Sequence, residues 1–416
     1  MSISLCMIVK DEAATLGNAL ASVKDVVDEI IVVDTGSTDD TVAVAQSHGA
    51  EVPTFPWVKD FAAARNASLA HATGDWVLVI DADEVLQPDV ATLLKALDQG
   101  QPLGGIPAEN ILAVNLLRLE LGAIQAPYTL ITRFFRRLPG ITFNRPYHET
   151  VDDSITAFQA QTPSWQVVTL PPVALHHTGY DPAVVVRRGK FDLAQRIMEA
   201  YLADHPQDGY LLNKLAALYL ESGQPEQAID LLNRALENLA ALDTLTRYEV
   251  FYHRALAQGD AHPDQPDLAA VDYEAALAED VPAILKLGTW INYGSLKKAQ
   301  GDLLAAVDLF EQAIAADPTL AIAHYNLGTA HRARGYLDEA IAAYRQAIVL
   351  QPSYAEAHQN LGVALFKLGE LPDALKSFNQ AIQLYAIYDP ATAQRLKEGV
   401  HNLGMPRDLL AEAELL

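Results

Sequence analysis

The stretch Gly74-Asp-Trp-Val-Leu-Val-Ile-Asp-Ala-Asp-Glu84 indicates the architecture of the first part of the chain. Its uninterrupted apolar run, Trp76 to Ile80, predicts a strand buried on both faces, as in a parallel sheet covered by helices. Two earlier apolar runs, Ser4 to Val9 and Glu29 to Val33, are separated by apolar residues at helical spacing. We therefore expect a mostly parallel α/β sheet domain over residues 1–180.

The sequence on either side of this strand predicts further elements. A helix is expected over Phe61 to Ala72, with Gly74 as the left-handed residue that ends it. From residue 111 to 177, short extended segments alternate with Pro and Gly, which predicts added strands and the loops of a site. These segments are Ile111 to Arg118, Leu130 to Arg137, Ile141 to Phe143 and Val167 to Leu175.

A repeat of 34 residues begins after residue 208 and resembles the tetratricopeptide repeat family. Small residues recur where two helices would cross, and larger ones recur where they would fill the gap. We expect an all-α solenoid of about five repeats over 209–388, joined to the sheet domain by a helical linker, 181–208, and capped by helices in 389–416. The clearest recurring positions are Gly294, Gly328 and Gly362; Gly301, Gly335 and Gly369; and Phe310, Tyr344 and Phe378.

Composition and charge exclude several classes of function. The formal net charge of −24 disfavours binding to nucleic acid, which needs clustered Lys and Arg. The single cysteine, Cys6, permits neither an internal disulfide nor a thiolate metal cluster. No run approaches the ~20 apolar residues that span a bilayer, so we expect a cytoplasmic protein. Docking of one face onto a membrane stays open.

Acidic residues follow the apolar runs, at the strand ends where open parallel sheets bind ligands. Asp81 and Asp83 offer hard oxygen ligands suited to Mg²⁺ or Mn²⁺, which also share phosphate oxygens of a substrate. The alternative is a solvated turn with a helix cap. Neither a dinucleotide fingerprint nor a P-loop is present. The acidic stretches are Lys10-Asp-Glu12, Asp34-Thr-Gly-Ser-Thr-Asp-Asp40 and Asp81-Ala-Asp-Glu84.

Four motifs, in this order and spacing, resemble inverting family 2 glycosyltransferases of the Rossmann-like GT-A fold. The subgroup most similar is bacterial, carries C-terminal tetratricopeptide repeats and includes peptide S-glycosyltransferases. The resemblance implies a metal-dependent transfer from a nucleotide sugar. Asp11 departs from the subgroup, which more often has Asn there. The motifs are Met7-Ile-Val-Lys-Asp-Glu12, Val33-Asp-Thr-Gly-Ser-Thr-Asp39, Phe61-Ala-Ala-Ala-Arg-Asn66 and Gly74 to Glu84.

The resemblance implies roles for individual residues. Asp34 would accept a hydrogen bond from the uracil N3–H, and Glu12 would help to hold the uridine. Arg65 would approach the nucleotide or its diphosphate, and the alternative is an ion pair on the helix surface with Asp60 or a nearby carboxylate. The diphosphate would be bound through Mn²⁺ or Mg²⁺. The implied nucleotide-binding set is Val9, Glu12, Asp34, Arg65, Asp81, Ala82 and Asp83, and the implied metal ligands are Asp81, Asp83 and His177.

Inversion needs one base to take the proton of the attacking acceptor. Glu149 is the candidate, because residues 121–148 contain no acidic residue. The alternative is a salt bridge from Glu149 to Arg145. Arg133 or Arg136 is a candidate clamp for a diphosphate or an anionic acceptor, or else part of a solvated strand face. For His177 and its neighbour His176, a structural role is the alternative to metal ligation.

The repeats offer a candidate peptide groove. Asparagines recur at one position of three successive units, with a cation about one turn away, and such amides can hold the main chain of an extended peptide. Asparagine at this position without any ligand is the alternative. The groove would recruit a protein acceptor or organise homo-oligomers. Its residues are Asn292, Asn326, Asn360, Lys298, Arg332 and Lys367.

Three functions stay open from the sequence. The first is a glycosyltransferase that uses a UDP-sugar and modifies a protein or peptide. The second keeps the enzyme but places the sugar on a glycolipid or lipopolysaccharide core. The third is a binding scaffold whose sheet domain has lost catalysis. Loop shapes in residues 100–180 set the specificity, and periodicity does not determine them.

Overall fold

The computed structural model describes residues 1–178, 187–403 and 410–411. The chain divides into two compact units. The first comprises residues 1–123 and 127–257, and the second comprises residues 124–126 and 258–416. The first unit thus includes helices beyond the sheet, whereas the sequence placed domain boundaries at residues 180 and 208. The ion pair of Arg145 with Asp208, at 2.7 Å, is one contact that joins these helices to the sheet domain.

The sheet is mixed and has seven strands in the order β2-β1-β3-β6-β5-β7-β4. β1 runs parallel to both β2 and β3, and β5 runs parallel to β7. β6 is antiparallel to both β3 and β5, and β4 is antiparallel to β7. The strands are β1 (Ile3–Val9), β2 (Glu29–Asp34), β3 (Trp76–Val79), β4 (Glu84–Leu86), β5 (Ile111–Glu120), β6 (Tyr128–Arg136) and β7 (Gln166–His177).

Helices cover both faces of this sheet, as the apolar strands predicted. One face packs against helices α1 (Leu16–Val23) and α4 (Pro88–Asp98). The other packs against α3 (Phe61–His71) and α5 (Asp152–Gln161). Burial of apolar side chains on both faces is the main stabilising contribution. A short helix, α2 (Thr41–Ser47), follows β2, and a 3₁₀ turn, Ala108–Asn110, precedes β5.

Two local predictions in this unit were wrong. Gly74 does not end α3 in the left-handed conformation, since that helix ends through extended Ala72. A Cβ on Gly74 would lie 2.6 Å from the Ser4 hydroxyl and 2.9 Å from the Ser2 carbonyl, so glycine is required for close approach to β1. The segment 141–143 is a buried loop instead of a strand, because the Asn66 side chain binds both backbone groups of Phe143.

The remaining described residues are mostly helical, and from residue 287 onward the helix pairs begin every 34 residues, at 287, 321 and 355. A Cβ on Gly328 would lie 2.7 Å from the Tyr344 ring, so the small residue allows the crossing of the two helices. The helices are α6 (Arg187–Asp204), α7 (Gly209–Glu221), α8 (Pro225–Leu236), α9 (Thr244–Ala261), α10 (Pro266–Ala278), α11 (Leu287–Ala299), α12 (Leu303–Ala316), α13 (Ala321–Arg334), α14 (Leu337–Leu350), α15 (Ala355–Leu368), α16 (Leu371–Tyr388) and α17 (Pro390–His401), with 3₁₀ turns at Leu239–Ala241 and Ala283–Lys286.

A search of the described residues finds no helix with the length and apolar character that crossing a bilayer requires.

Candidate active site

The carboxyl ends of β1, β2 and β3 form one edge of the sheet. Val9, the last residue of β1, lies opposite Asp34, the last residue of β2. Asp81 follows β3 by two residues, and β3 pairs with β1 in the same direction. Parallel strands bring the residues just beyond their ends to a common edge. This edge therefore gathers the turn that begins at Asp34 and the turn that begins at Asp81.

Asp34 holds the turn that follows β2. Its Oδ1 accepts a hydrogen bond from the Ser37 N–H at 3.0 Å, and its Oδ2 accepts one from the Gly36 N–H at 3.2 Å. Asp34 is only 6% exposed. Each carboxylate oxygen has two lone pairs, so this fixed side chain retains capacity to accept a hydrogen bond from a ligand.

The loops after β1 and β2 are bonded to each other. The Asp11 carboxylate accepts the Thr38 N–H at 2.6 Å, and this bond lowers the pKa of Asp11. The Glu12 N–H donates to the Thr41 hydroxyl at 2.7 Å. Asp11, the position that departs from the related subgroup, therefore joins the two loops that flank Asp34.

Glu84 organises the Asp81–Asp83 turn from inside the sheet. The side chain is completely buried, and its Oε2 accepts the Asp81 N–H at 2.8 Å. Its Oε1 accepts from Arg118 Nη1, also at 2.8 Å. Burial alone would lower the pKa of Arg118, but Glu84 and Glu120 outweigh it and raise that pKa. Arg118 therefore stays charged and connects the turn to β5.

Asp81 is held by two guanidinium groups. Arg65 binds its Oδ1, and Arg133 Nη2 lies 3.2 Å from its Oδ2. Burial would raise the pKa of Asp81, but these two cations outweigh it and hold the pKa far below its usual range. The ladder between β5 and β6 skips Arg133, because Val114 pairs with Phe134 and Asn115 pairs with Thr132. Such a bulge redirects one side chain, here the one that binds Asp81.

Arg65 joins Asp81 to Glu149. It lies on α3, is 3% exposed, and its Nε donates to Glu149 Oε1 at 2.9 Å. Burial opposes the charge of Arg65, but the two carboxylates outweigh it and raise its pKa. The Nη1 atoms of Arg65 and Arg133 are buried without a hydrogen-bond partner among the residues that the structure describes. A ligand oxygen would satisfy these donors.

Glu149 is the predicted base, and its neighbours are not those of the alternative interpretation. Arg145 binds Asp153 and Asp208, at 2.8 and 2.7 Å, instead of Glu149. Asp60 caps α3 by accepting the Ala63 N–H at 2.9 Å. Arg65 therefore does not pair with Asp60, and Glu149 does not pair with Arg145; Arg65 and Glu149 pair with each other instead.

His148, next to Glu149, is a poor rival for the role of base. The residue is exposed as a whole, but desolvation by the surrounding protein and the charge of Lys214 lower the pKa of His148 to about 3. An imidazole with that pKa takes up protons weakly at neutral pH.

His177 connects Asp83 to Glu120. β4 and β7 pair antiparallel with Glu84 opposite His177, which brings the histidine beside Asp83. Its Nε2 lies 3.1 Å from Asp83 Oδ2, and its Nδ1 lies 2.5 Å from Glu120 Oε2. Burial would lower the pKa of His177, but these two hydrogen bonds outweigh it and raise the pKa to about 10.

Arg118 and Glu120 were not singled out from the sequence. Arg118 Nε donates to Glu120 Oε1 at 2.7 Å, which completes a chain from Asp83 through His177, Glu120 and Arg118 to Glu84. The signal that could have found them is the appearance of two charged residues, two positions apart, at the end of an apolar strand.

Asp83 and His177 fit a divalent cation once the imidazole gives up its Nε2 proton, but they do not form a complete site alone. Among the described residues, no group of three or more His, Cys, Asp or Glu is placed to hold a metal ion. Mg²⁺ and Mn²⁺ are commonly bound by one or two protein ligands together with substrate phosphates, so this pair suits an ion that arrives with a diphosphate. Asp81 is committed to Arg65 and Arg133.

The other residues predicted in this unit have structural surroundings. Arg136 stacks on the Trp76 ring at 3.9 Å and donates to the Ala108 carbonyl, so it supports the core instead of a diphosphate. His176 lies opposite Val85 in the ladder between β4 and β7. Val9 and Ala82 are both 4% exposed and shape the backbone beside Asp34 and Asp83.

The candidate groove residues lie in the second unit. Asn292, Asn326 and Asn360 occupy equivalent positions on α11, α13 and α15. The Asn360 amide donates to the Tyr325 hydroxyl at 3.1 Å and to the Glu356 carbonyl at 3.0 Å, and Asn326 is buried. Part of this ladder is therefore engaged within the repeats.

The cations of that groove differ in their surroundings. Lys298 donates to the Thr329 hydroxyl at 2.7 Å, and burial together with Arg332 lowers the pKa of Lys298. Lys367 is exposed near the end of α15.

Comparison with known families agrees with this arrangement. Residues 4–155 match glycosyl transferase family 2. Matches to tetratricopeptide repeat families cover 189–241, 287–320, 328–369 and 355–386. The first match ends shortly after Glu149 and begins within β1.

Similar proteins come from several bacteria. The chain is 44% identical over 321 residues to a TPR repeat-containing protein of Synechococcus elongatus, covering 76% of each chain. It is 31% identical over 190 residues to an uncharacterized glycosyltransferase of Rickettsia bellii, covering 45% of this chain and 64% of the relative. It is 26% identical to the prophage-derived glycosyltransferase SunS of Bacillus subtilis, covering 57% and 54% of the two chains.

Proposed function

We propose that this chain, which belongs to glycosyl transferase family 2 and carries C-terminal tetratricopeptide repeats, transfers a sugar from a UDP-sugar to a protein acceptor with inversion. The observation that carries the proposal is the Arg65 bridge. One buried guanidinium binds the strand-end carboxylate Asp81 and the candidate base Glu149. Groups suited to donor binding and to proton removal are thereby brought into one site.

The turn after β2 supports uridine as the nucleoside. Asp34 is fixed by its own turn and keeps acceptor capacity, and an acceptor distinguishes the N3–H of uracil from the N3 lone pair of cytosine. Glu12 lies in the turn that leads into α1, with its carbonyl accepting the Leu16 N–H at 3.0 Å. In this proposal Asp34 accepts a hydrogen bond from the uracil ring, and Glu12 holds the nucleoside beside it.

The free guanidinium donors support a diphosphate next to Asp81. Arg65 and Arg133 each present one buried guanidinium nitrogen, Nη1, that lacks an acceptor among the described residues. Guanidinium groups bind phosphate through paired hydrogen bonds. Asp83 and His177 would hold Mn²⁺ or Mg²⁺, which when bound would neutralise charge on the diphosphate.

Glu149 serves as the base in this proposal. The acceptor oxygen or sulfur attacks the anomeric carbon from the face opposite the diphosphate and loses its proton to the Glu149 carboxylate. The bond between that carbon and the diphosphate oxygen breaks, and its electron pair leaves with UDP. One displacement of this kind inverts the configuration.

A protein acceptor is favoured by the repeats. Helix pairs of this family are known for binding proteins, and three of them lie in the second unit. Transfer to a glycolipid uses the same donor site and differs in the acceptor alone. A scaffold without catalysis would have no need for the Arg65 bridge.

Calorimetry with UDP tests the proposal. The full chain should bind UDP in the presence of Mn²⁺ and bind CDP and ADP much more weakly. Glu149→Gln should abolish release of UDP from a UDP-sugar while UDP binding is kept. Absence of UDP binding with Mn²⁺ would overturn the proposal and favour the scaffold.

A further inference from the structure

The two carboxylates that bind Arg65 differ in the number of cations around them. Asp81 is bound by Arg65 and also by Arg133, whose Nη2 lies 3.2 Å from Oδ2. Among the described residues, the ion pairs of Glu149 involve Arg65 alone. If Arg65 turned toward a new anion, Asp81 would keep a cation and Glu149 would lose its own.

Arg65 is also incompletely satisfied. Its Nη2 binds Asp81 and its Nε binds Glu149, whereas its Nη1 has no acceptor among the residues described. Arg65, Arg133, Asp81 and Glu149 together carry no net charge. A diphosphate entering this cluster would attract Arg65 and repel the Glu149 carboxylate at the same time.

We propose that Arg65 is shared between Glu149 and the donor diphosphate, so that donor binding releases Glu149 to act as the base. This inference rests on the proposed function, since it assumes that a nucleoside diphosphate binds beside Asp81. Before the donor binds, the guanidinium hydrogen bond occupies a Glu149 lone pair that would otherwise accept a proton. With the donor bound, the same cation stabilises the diphosphate, and the carboxylate is free.

The exchange predicts an order of binding. An acceptor that arrives first meets a base whose carboxylate is occupied by Arg65. An acceptor that arrives after the donor meets a free carboxylate. Linkage also requires the reverse effect, so Glu149 must weaken diphosphate binding by competing for Arg65. This competition can be measured without knowing the sugar or the acceptor.

Calorimetric titration of the full chain with UDP and with uridine, both with Mn²⁺, tests the exchange. Glu149→Gln should bind UDP about fivefold more tightly than the wild type, since an uncharged amide competes less for Arg65. Uridine lacks the diphosphate, so its affinity should not change. Glu149→Asp, whose shorter side chain draws back from Arg65, gives a second measurement in the same direction. Glu109→Gln, an exposed carboxylate on a 3₁₀ turn, is the matched control.

A double-mutant cycle separates the exchange from simple charge repulsion. In an Arg65→Lys background, the gain in UDP affinity from Glu149→Gln should disappear, because the competition acts through the guanidinium. A gain that persists there, or equal UDP affinity in the wild type and both Glu149 variants, would overturn the exchange while leaving the proposed function intact. Failure of the wild type to bind UDP would overturn both.

Discussion

The Nε2 of His177 lies 3.1 Å from Oδ2 of Asp83, although the two residues are 94 positions apart in the chain. The antiparallel pairing of β4 with β7 produces this contact. On its other side the imidazole binds Glu120, which fixes the orientation of the ring. Partners of this kind orient a histidine that binds a metal.

Asp83→Ala should remove the dependence of UDP affinity on Mn²⁺. The variant loses a carboxylate ligand and the acceptor of the His177 hydrogen bond, so we expect UDP affinity with Mn²⁺ to fall at least ~10-fold. Calorimetry with and without the metal measures this change. Asp25→Asn, which alters an exposed carboxylate, is the control. Unchanged metal dependence in Asp83→Ala would contradict the assignment of this ligand.

Stability of the metal-free protein should depend on pH through His177. Its pKa is raised from 6.5 to about 10 in the folded state, so the protonated ring stabilises the fold fully below pH 6.5. This contribution is lost as the pH rises through 10. His177→Gln should therefore lower the melting temperature by about 5–10 °C at pH 6 and by much less near pH 10. Thermal scans of both proteins in a chelator measure the difference in melting temperature. A difference that stays constant from pH 6 to pH 10 would show that the protonated His177 ring does not stabilise the fold.

Glu84→Gln should destabilise the first unit and distort the Asp81–Asp83 turn. The amide keeps one acceptor oxygen and puts an NH2 group in place of the other, so either the Asp81 N–H or Arg118 loses its acceptor. The variant also loses the buried ion pair with Arg118, and breaking such a pair costs about 3–5 kcal/mol. We expect a lower midpoint of urea unfolding and weaker UDP binding with Mn²⁺. Glu109→Gln, an exposed glutamate, should change neither. Wild-type values for Glu84→Gln would show that the turn does not depend on this carboxylate.

Gly328→Ala should destabilise the repeats of the second unit. The added Cβ would lie 2.7 Å from the Tyr344 ring, and overpacking of this kind costs about 1–3 kcal/mol. Gly259→Ala is the matched control, since its Cβ meets no atom within 4 Å and alanine favours the helix. Urea unfolding should show opposite shifts for the two variants. Equal shifts would mean that the crossing of α13 and α14 tolerates a larger residue.

The strands and their acidic ends could be predicted because they follow from local patterns. Trp76 to Val79 is a strand because its side chains are all apolar and buried. Asp81 lies at the edge of the sheet because it comes just after that strand in the sequence. The helical repeats were predicted from one period, which fixes the positions of Gly328 and Tyr344. Matches to glycosyl transferase family 2 and to a tetratricopeptide repeat family confirmed the assignments of the sheet domain and of the repeats.

The partners within the site could not be predicted, because they depend on pairings between distant strands. Arg118 meets Glu84 because β5, β7 and β4 lie side by side, an order that no local pattern encodes. The suggested ion pairs of Arg65 with Asp60 and of Glu149 with Arg145 were wrong for the same reason. The sequence suggested partners of opposite charge that are close along the chain, whereas in the folded protein Arg65 and Glu149, which are distant in sequence, lie closer to each other.

Arg133 binds Asp81 from a bulge in β6, and this bulge exists because β6 has one residue more than the facing part of β5. Deleting one residue between Tyr128 and Thr132 would restore an even ladder with β5, and the guanidinium would point along the face of its new register position. Every side chain would be unchanged in kind, yet Asp81 would depend on Arg65 alone. Shortening β6 by one residue would then leave Arg65 as the one cation that pairs with Asp81, with Glu149 and with the donor diphosphate.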